Sequence, residues 1–485
     1  MDADSARLLT QRIYIRLNNR RPDIEKAENY YHGKQPLSFA TEEWQKANAA
    51  RYAGFSDNWC ASVVNAEAER LKPTGFTNID KGSAKLLWDH LQFNEFDMQF
   101  SQGVITTLTA KRTFVIVWGD RGGEPVVTFE HPSNVEIEYD WENPRLRKAA
   151  LKTWVDEDKE YATLYTPDEL WKFERPRQVA KNDRDSQAEQ SQSSAYVAEG
   201  GWQARVSTGD DTWPLRNPLG VVPVVEIGNR PTLKGDPVSE IEGVMPMQDA
   251  INLLWAYLFL AADYASMDAR VILGAEPPKI PILDKATGAV IGFRPVDMKD
   301  LREKRLITVS GENAKIDQWT AAKLDIFTDT ISVGVGHISS QTRTPPTYLV
   351  SETGMSNVNG EGLKAAEIPL VMKANEFITF TDPSLREVAS LVARVLGNES
   401  LAREVRLASV TWASREIRSE SQMADALLKK KQTGYPLEYL MELDGLDPAT
   451  IDRVLAMAEA EQRDLQIEAA TRELSAIATG TPSES

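Results

Sequence analysis

The sequence predicts an α+β chain built in several parts, and three observations carry that prediction. Apolar residues recur at helical spacing near the N-terminus, give way to short runs of period two from about Thr113 to Arg175, and return to helical spacing through most of the C-terminal half. A strand-and-turn module between 270 and 319 interrupts two helical stretches. The 485 residues, 42% hydrophobic and 26% charged, suffice for about two to four domains with cores of their own.

Residues 5 to 31 read as a helix with Leu8, Leu9, Ile13 and Leu17 on one face, broken at Pro22 and resumed through Tyr31. A turn follows in YYHGKQPL, and Asp57 stands where it would cap NWCASVVNAEAERL, whose buried face is Val63, Val64, Ala66 and Leu71. Pro73 and Gly75 end that helix. One helix is expected across SAKLLWDHLQFNEFDMQFSQGVITTLTAK, with Leu87, Leu91, Phe96 and Phe100 near one face. TFVIVWGD, EPVVTFEH, NVEIEYD, KAALKTWV, KEYATLYT and ELWKFER are β-branched or aromatic runs separated by turn residues, as in an antiparallel sheet. Residues 179 to 201, rich in Gln, Ser and Asp, read as a mobile surface loop.

A long helix is expected from about Val238 to Met267, where Ile251, Leu254, Trp255, Leu258, Phe259 and Ala262 form an amphipathic stripe. RVILG, EPPKIPILD, GAVIGFRP and RLITVSGENAKIDQW are strand-like, and helical spacing resumes at Thr320. Between His337 and Glu367 comes HISSQTRTPPTYLVSETGMSNVNGEGLKAAE, a polar, Gly- and Pro-bearing stretch far longer than the usual helix connection of about 2 to 8 residues. Helices are expected from about Glu361 to Phe380, from Asp382 to Leu396, and three times more between 411 and 475, with a disordered tail at 476–485.

Composition excludes several functions. The single cysteine, Cys60, forms no intrachain disulfide, and no basic-then-apolar segment opens the chain, as expected of a protein made in a reducing cytoplasm. The most apolar run, LLWAYLFLAA at 253–262, is bounded by Asn252 and Asp263 and falls short of the roughly 20 residues that span a bilayer, so no membrane association is expected. A net charge of −17 argues against a field that attracts nucleic acid or anionic lipid. His32, His90, His131 and His337 are scattered singly, leaving no metal site of recognisable spacing. GMSNVNGEG at 354–362 looks like a phosphate cradle, but Gly360 is followed by Glu361 where a P-loop needs Lys and then Ser or Thr. No catalytic residues, metal or cofactor are assigned.

Four stretches, YYHGKQPL, NWCASVVNAEAERLKPTGF, RNPLGVVPVVEIGNRP leading into SEIEGVMPMQDAINLLWAYLFLAADY, and TPPTYLV, occur in an order that resembles the portal proteins of tailed double-stranded-DNA phages, long-tailed siphophage type. The resemblance covers about residues 5 to 465 and none of its pieces is catalytic. It implies a portal fold with an α/β wing, a helical stem, a small β-rich clip and an all-helical crown, assembled as a homo-oligomeric ring of about twelve subunits around a central channel at one capsid vertex. The implied boundaries are 1–237 for the first part of the wing, 238–269 and 320–342 for the stem helices, and 270–319 for the clip. They continue with 343–359 for a tunnel loop, 360–399 for the second part of the wing with its kinked helix, and 400–475 for the crown. The implied partners are double-stranded DNA in the channel, an ATP-driven terminase, a head-completion or adaptor protein at the clip, and the major capsid protein. The implied location is the virion, after assembly in the host cytoplasm.

Within that frame the tunnel loop offers Thr347, Ser351, Thr353, Ser356, Asn357 and Asn359 as uncharged hydrogen-bonding groups for phosphates. Arg343, the only cation between Lys323 and Lys364, is the first choice for a phosphate contact, with an ion pair to Glu352 of the partner subunit as the alternative. Lys323, Asp325 and Asp329 are assigned to the channel-lining stem. Phosphate contacts by Lys or Arg grip cumulatively, so acids suit a lining along which DNA must slide, although they are equally ordinary helix surface. Lys429, Lys430 and Lys431 either face DNA or form a solvated helix end. Two other classes are kept open: a magnesium-dependent DNA-processing or packaging enzyme, and a capsid adaptor.

Overall fold

The structure, a computed structural model, describes residues 1–36, 55–177, 201–206, 213–266, 270–273, 279–284, 288–295, 306–309, 316–318, 323–349, 360–415, 420–446 and 448–478. The chain forms two compact units, one of Met1–His32, Cys60–Gly243 and Gln341–Ser485, the other of Gly33–Trp59 and Val244–Ser340. Helices and strands are mixed in the order expected of the α+β class.

In the first unit, helix α1 (Ala3–Tyr31) opens where the Asp2 side chain accepts the Ser5 amide at 2.7 Å. The expected break at Pro22 does not occur. Arg20 donates to the carbonyls of Pro132 and Val135, both at 2.7 Å, and Arg21 to that of Ser133 at 3.0 Å, so tertiary bonds beside the proline hold the helix on course. Helix α2 (Trp59–Ala68) and strand β1 (Pro73–Thr77) follow. The single helix expected next is two, α3 (Lys81–Phe93) and α4 (Phe96–Ala110). Asn94 ends the first by donating to the carbonyls of His90 and Pro125 while accepting the Val127 amide, and Glu95 adopts a left-handed φ of 55°.

The six predicted strands are present as β2 (Arg112–Gly119), β3 (Pro125–Glu130), β4 (Val135–Tyr139), β5 (Arg147–Asp156), β6 (Lys159–Tyr165) and β7 (Glu169–Pro176), followed by β8 (Gln203–Ala204), β9 (Leu215–Arg216) and β10 (Val224–Gly228). They divide between two antiparallel sheets, β10-β2-β3 and β4-β5-β6-β7-β8, with β9 also on β7. Ala6 and Ile13 of α1 pack on Ala149, Leu151, Ala162, Leu164 and Phe173, with Trp202 closing the cluster; each large apolar side chain buried this way contributes about 1.5–3 kcal/mol. The loop expected at 179–201 lies outside the described residues except for Gly201.

The second unit contains helix α5 (Met245–Ser266), preceded by a 3₁₀ turn at Glu242–Val244. The helix begins later than the expected Val238 because Val238 and Glu240 give their amides to the carbonyls of Asn229 and Leu108. Asp57 stands just before α2. Its carboxylate accepts the indole N–H groups of Trp59 at 3.0 Å and Trp255 at 2.8 Å, while Gln248 accepts the Trp59 amide at 2.8 Å. The apolar span is longer than the run 253–262 suggests: Glu242–Ala262 is long and apolar enough by length and composition to cross a membrane. Gln248, Asp249 and Asn252 are nevertheless buried, and Gln248 and Asn252 bond Ser56, Asp57 and Trp59, so the helix packs against its own protein.

The β-rich module comprises β11 (Arg270–Leu273), β12 (Lys279–Leu283), β13 (Val290–Pro295), β14 (Leu306–Val309) and β15 (Ile316–Gln318). Strand β11 is central, parallel to β14 and antiparallel to β15, and β12 pairs with β13 as a hairpin. Helix α6 (Asp325–Thr342) closes the module. A Cβ on Gly334 would stand 3.3 Å from Ile251 Cγ1 and 3.5 Å from Met247 Sδ, so α5 and α6 meet at that glycine.

Back in the first unit, a 3₁₀ turn at Pro346–Tyr348 precedes α7 (Gly360–Val395). Two helices were expected here, and the structure has one, running through Pro369 and Pro383. Each interior proline costs about 3 kcal/mol, which is offset by burial on both sides of them, of Leu370, Ala374 and Phe377 and of Leu385, Val388, Leu391 and Val392. After α8 (Glu399–Glu404) comes β16 (Ser409–Trp412), antiparallel to β1 with Phe76 opposite Val410. The region expected to be all-helical from 400 therefore also holds a strand, which forms a two-stranded sheet with β1 of the first unit. Its remaining elements are helical: α9 (Glu420–Gln432), α10 (Leu437–Asp444), ended by Gly445 at φ 87°, and α11 (Pro448–Ala478), which extends into the expected tail.

Candidate nucleic-acid interface

Helix α6 owes its two faces to its sequence. Ile331, Val335 and Ile338 are buried, whereas Lys323 just before the helix and Asp325 and Asp329 within it are exposed. Among the described residues neither aspartate has an ion-pair partner, and Asp325 in the first turn complements the helix dipole. The hydroxyls on the exposed side are already engaged. Thr328, Thr330, Ser332 and Ser340 donate to the carbonyls of Asp325, Ile326, Thr328 and Gly336 at 2.7–3.0 Å. Solvated carboxylates and donors already used within the helix make a surface that repels phosphate and offers it few bonds.

In the first unit, Arg343 follows α6 with a left-handed φ of 56°, which a non-glycine residue adopts at a cost. Its guanidinium pairs with Glu376 of α7 in the same chain at 2.9 Å, and both side chains remain 40% exposed. Arg343 is thus held by α7 yet still reachable. Thr347 lies exposed in the 3₁₀ turn. Ser351, Thr353, Ser356, Asn357 and Asn359 lie outside the described residues. Lys429, Lys430 and Lys431 end α9 as an exposed last turn, with Lys429 on Asp425 at 2.7 Å.

Two groups of polar residues stand behind the chain that flanks this turn. Arg70, with a side chain only 6% exposed, donates to Tyr348 Oη and to the Arg415 carbonyl, both at 2.6 Å, and faces Glu367 Oε2 at 3.4 Å. Beside it, the buried Lys373 ammonium lies 2.8 Å from Glu67 Oε2 and 2.6 Å from Glu240 Oε2. Glu240 also accepts from Asn229 at 2.7 Å and Arg230 at 2.5 Å. Burial outweighs the attraction of Lys373 and, with the nearby Glu240 charge, pushes Glu67 up to about 7. Burial acts on Glu240 in the same direction, but two cations overcome it and hold that carboxyl below its usual range. Sequence reading missed both groups, although each leaves a signal. Lys373 shares a helical face with Leu370, Ala374 and Phe377, and Glu67 with Val63, Val64 and Leu71, and a charge on an apolar face needs a buried partner.

Residues 11–464 match the family described as phage portal protein, SPP1 Gp6-like. The portal proteins of Mycobacterium phages L5 and D29 are each 25% identical over 382 residues, spanning 76% of this chain and 70% of theirs. Among solved structures, a chain from the neck of an empty gene transfer agent particle aligns over 88% of this chain and 94% of its own, at 11% identity and a TM-score of 0.43. A chain from the neck of the native particle covers 85% and 95%, at 10% identity and a TM-score of 0.42. With the family matched over nearly its whole length, the chain belongs to the phage portal proteins of the SPP1 Gp6-like type, a structural family.

Proposed function

We propose that this portal protein forms a ring of about twelve subunits at one capsid vertex. In this reading DNA enters during packaging and leaves at ejection through the ring's channel. The residues assigned to the channel are Lys323, Asp325 and Asp329 of the stem and, in the tunnel loop at 343–359, Arg343, Thr347, Ser351, Thr353, Ser356, Asn357 and Asn359. The observation that carries this reading is the exposed side of α6, whose acids are unpaired among the described residues and whose hydroxyls are turned inward to their own helix. Such a surface lets a polyanion slide rather than bind.

The same reading assigns 1–237 and 360–399 to the wing, 238–269 and 320–342 to the stem, 270–319 to the clip and 400–475 to the crown. The clip takes the head-completion or adaptor protein, the major capsid protein is a further partner, and an ATP-driven terminase docks on the ring, supplying the nucleotide chemistry. Assembly takes place in the host cytoplasm. The hairpin of β12 and β13 suits a docking role, since Leu283, Val290, Ile291 and Phe293 are all more than half exposed.

Deleting residues 350–357, which leaves Tyr348 and the buried Leu349 in place, tests the loop. Ring formation, seen by negative-stain averaging down the axis, should survive, while packaged or retained DNA falls sharply. Loss of folding would make the segment structural, and unimpaired packaging would remove it from the channel.

A further inference from the structure

The function proposed above uses neither Arg70 nor the buried charges beside it, yet together they join segments far apart in the chain. Arg70 follows α2, its amide bonded to the Glu67 carbonyl at 3.1 Å, so Glu67 and Arg70 lie close together on one turn of backbone. From that turn two charges of opposite sign meet two of opposite sign on α7: Arg70 meets Glu367 at 3.4 Å and Glu67 meets Lys373 at 2.8 Å. The crossed pattern defines a register. A shift of α7 along its axis by one turn, about 5.4 Å, would part both pairs and leave charges buried without partners.

Arg70 also reaches the other side of the 350–359 stretch. Its Nη2 donates to Tyr348 Oη at 2.6 Å, its guanidinium carbon lies 5.8 Å from the centre of the Tyr348 ring, and Leu349 beside it is buried. Tyr348 precedes the stretch and Glu367 follows it. A third bond, to the Arg415 carbonyl at 2.6 Å, reaches the segment that leads from β16 towards α9. The guanidinium reaches these acceptors with two separate nitrogens, Nη1 on the Arg415 carbonyl and Nη2 on Tyr348 and Glu367, whereas a lysine ammonium is a single nitrogen on a thin stem and cannot occupy both positions.

We infer that Arg70 is a positioning residue: it holds the chain entering and the chain leaving residues 350–359 at one buried guanidinium, and so sets how that stretch is presented to DNA. The inference rests on the proposed placement of the loop in the channel, while the clasp itself stands on geometry. Glu67 and Lys373 supply its second point of attachment, fixing α7 so that Glu367 arrives opposite Arg70.

Amide hydrogen exchange on assembled rings tests the clasp, with packaged DNA measured on the same variants. Arg70→Gln should speed exchange at 347–349 and 361–367 by about tenfold, leave most of the first unit unchanged, preserve rings and lower packaging. Arg70→Lys should fail to restore either readout. Tyr348→Phe, which removes one bond and keeps the ring, should speed exchange by a smaller factor at the same amides and serves if Arg70→Gln does not fold. Unchanged exchange at those amides overturns the clasp, and so does acceleration spread evenly over the unit, which marks a general stabilising role. Local acceleration with wild-type packaging overturns the positioning role. If deletion of 350–357, which spares Tyr348 and Leu349, leaves packaging intact, the channel reading fails by itself, whatever the exchange result.

Discussion

The contact between α2 and α7 and the outer side of α6 treat charge in opposite ways. Where α2 meets α7, Lys373, Glu67 and Glu240 are each at most 3% exposed on their side chains, and each lies within 3 Å of an opposite charge. On α6, Asp325 and Asp329 face solvent with no ion-pair partner among the described residues. The difference is one of dielectric. A buried charge loses several kcal/mol of hydration and must recover it from a close partner, so position becomes specific. A solvated carboxylate keeps its hydration, costs the fold little, and acts at a distance on a passing polyanion. Charge therefore fixes register in one place and sets a field in the other.

The largest test of that contrast is Lys373→Ala. Removing the ammonium leaves two carboxylates buried together, and denaturant unfolding should show a loss of about 3–5 kcal/mol. A loss below about 1 kcal/mol would mean that water reaches the site and that the contrast is weaker than its burial implies.

Next in size is Glu67→Gln, read against pH. Glu67 is raised from its ordinary value to about 7, so between those values the folded chain holds a proton that the unfolded chain has released. Its contribution to stability is greatest below the ordinary carboxylate range, falls as pH rises, and is lost above about 7. The variant should flatten the fall in unfolding free energy between about pH 5 and 8 by about 1–3 kcal/mol. An unchanged slope would place the titration elsewhere.

The smallest effect on stability belongs to α6. Asp325→Lys combined with Asp329→Lys should change unfolding free energy by less than about 0.5 kcal/mol. The field, however, reverses: rings carrying both changes should bind duplex DNA at low salt, release it as salt rises, and package less. DNA binding equal to that of the parent at every salt concentration would remove these positions from the channel surface.

Much of this fold was legible in the chain. The six strands between 112 and 176, the β module between two helices and the glycine that ends α10 all follow from local period and turn chemistry. Local rules failed where distant bonds intervened. Pro22 reads as a break, but Arg20 and Arg21 hold the helix on backbone carbonyls over a hundred residues away. Asn94 reads as one residue of a long helix, but it is bonded to Pro125 and Val127 on β3 and ends the helix instead. The indole of Trp255 on the Asp57 carboxylate, almost two hundred residues along the chain, follows from no local rule. For the candidate interface, the acids of α6 and the lone Arg343 were visible as composition, whereas the pairing of Arg343 with Glu376 was not.

The sequence by itself determined where helices and strands alternate, that the chain is acidic, and that a polar stretch separates α6 from α7, because each depends only on neighbours within a few residues. The family resemblance was legible for the same reason, in the order of its segments. Tertiary structure alone decided that two prolines lie inside one continuous α7, that β16 completes a sheet with β1, and that Glu67, Arg70, Glu240, Glu367 and Lys373 meet. Those contacts join residues up to about three hundred and forty positions apart. Their energies come from desolvation and pairing that exist only once the chain has closed on itself.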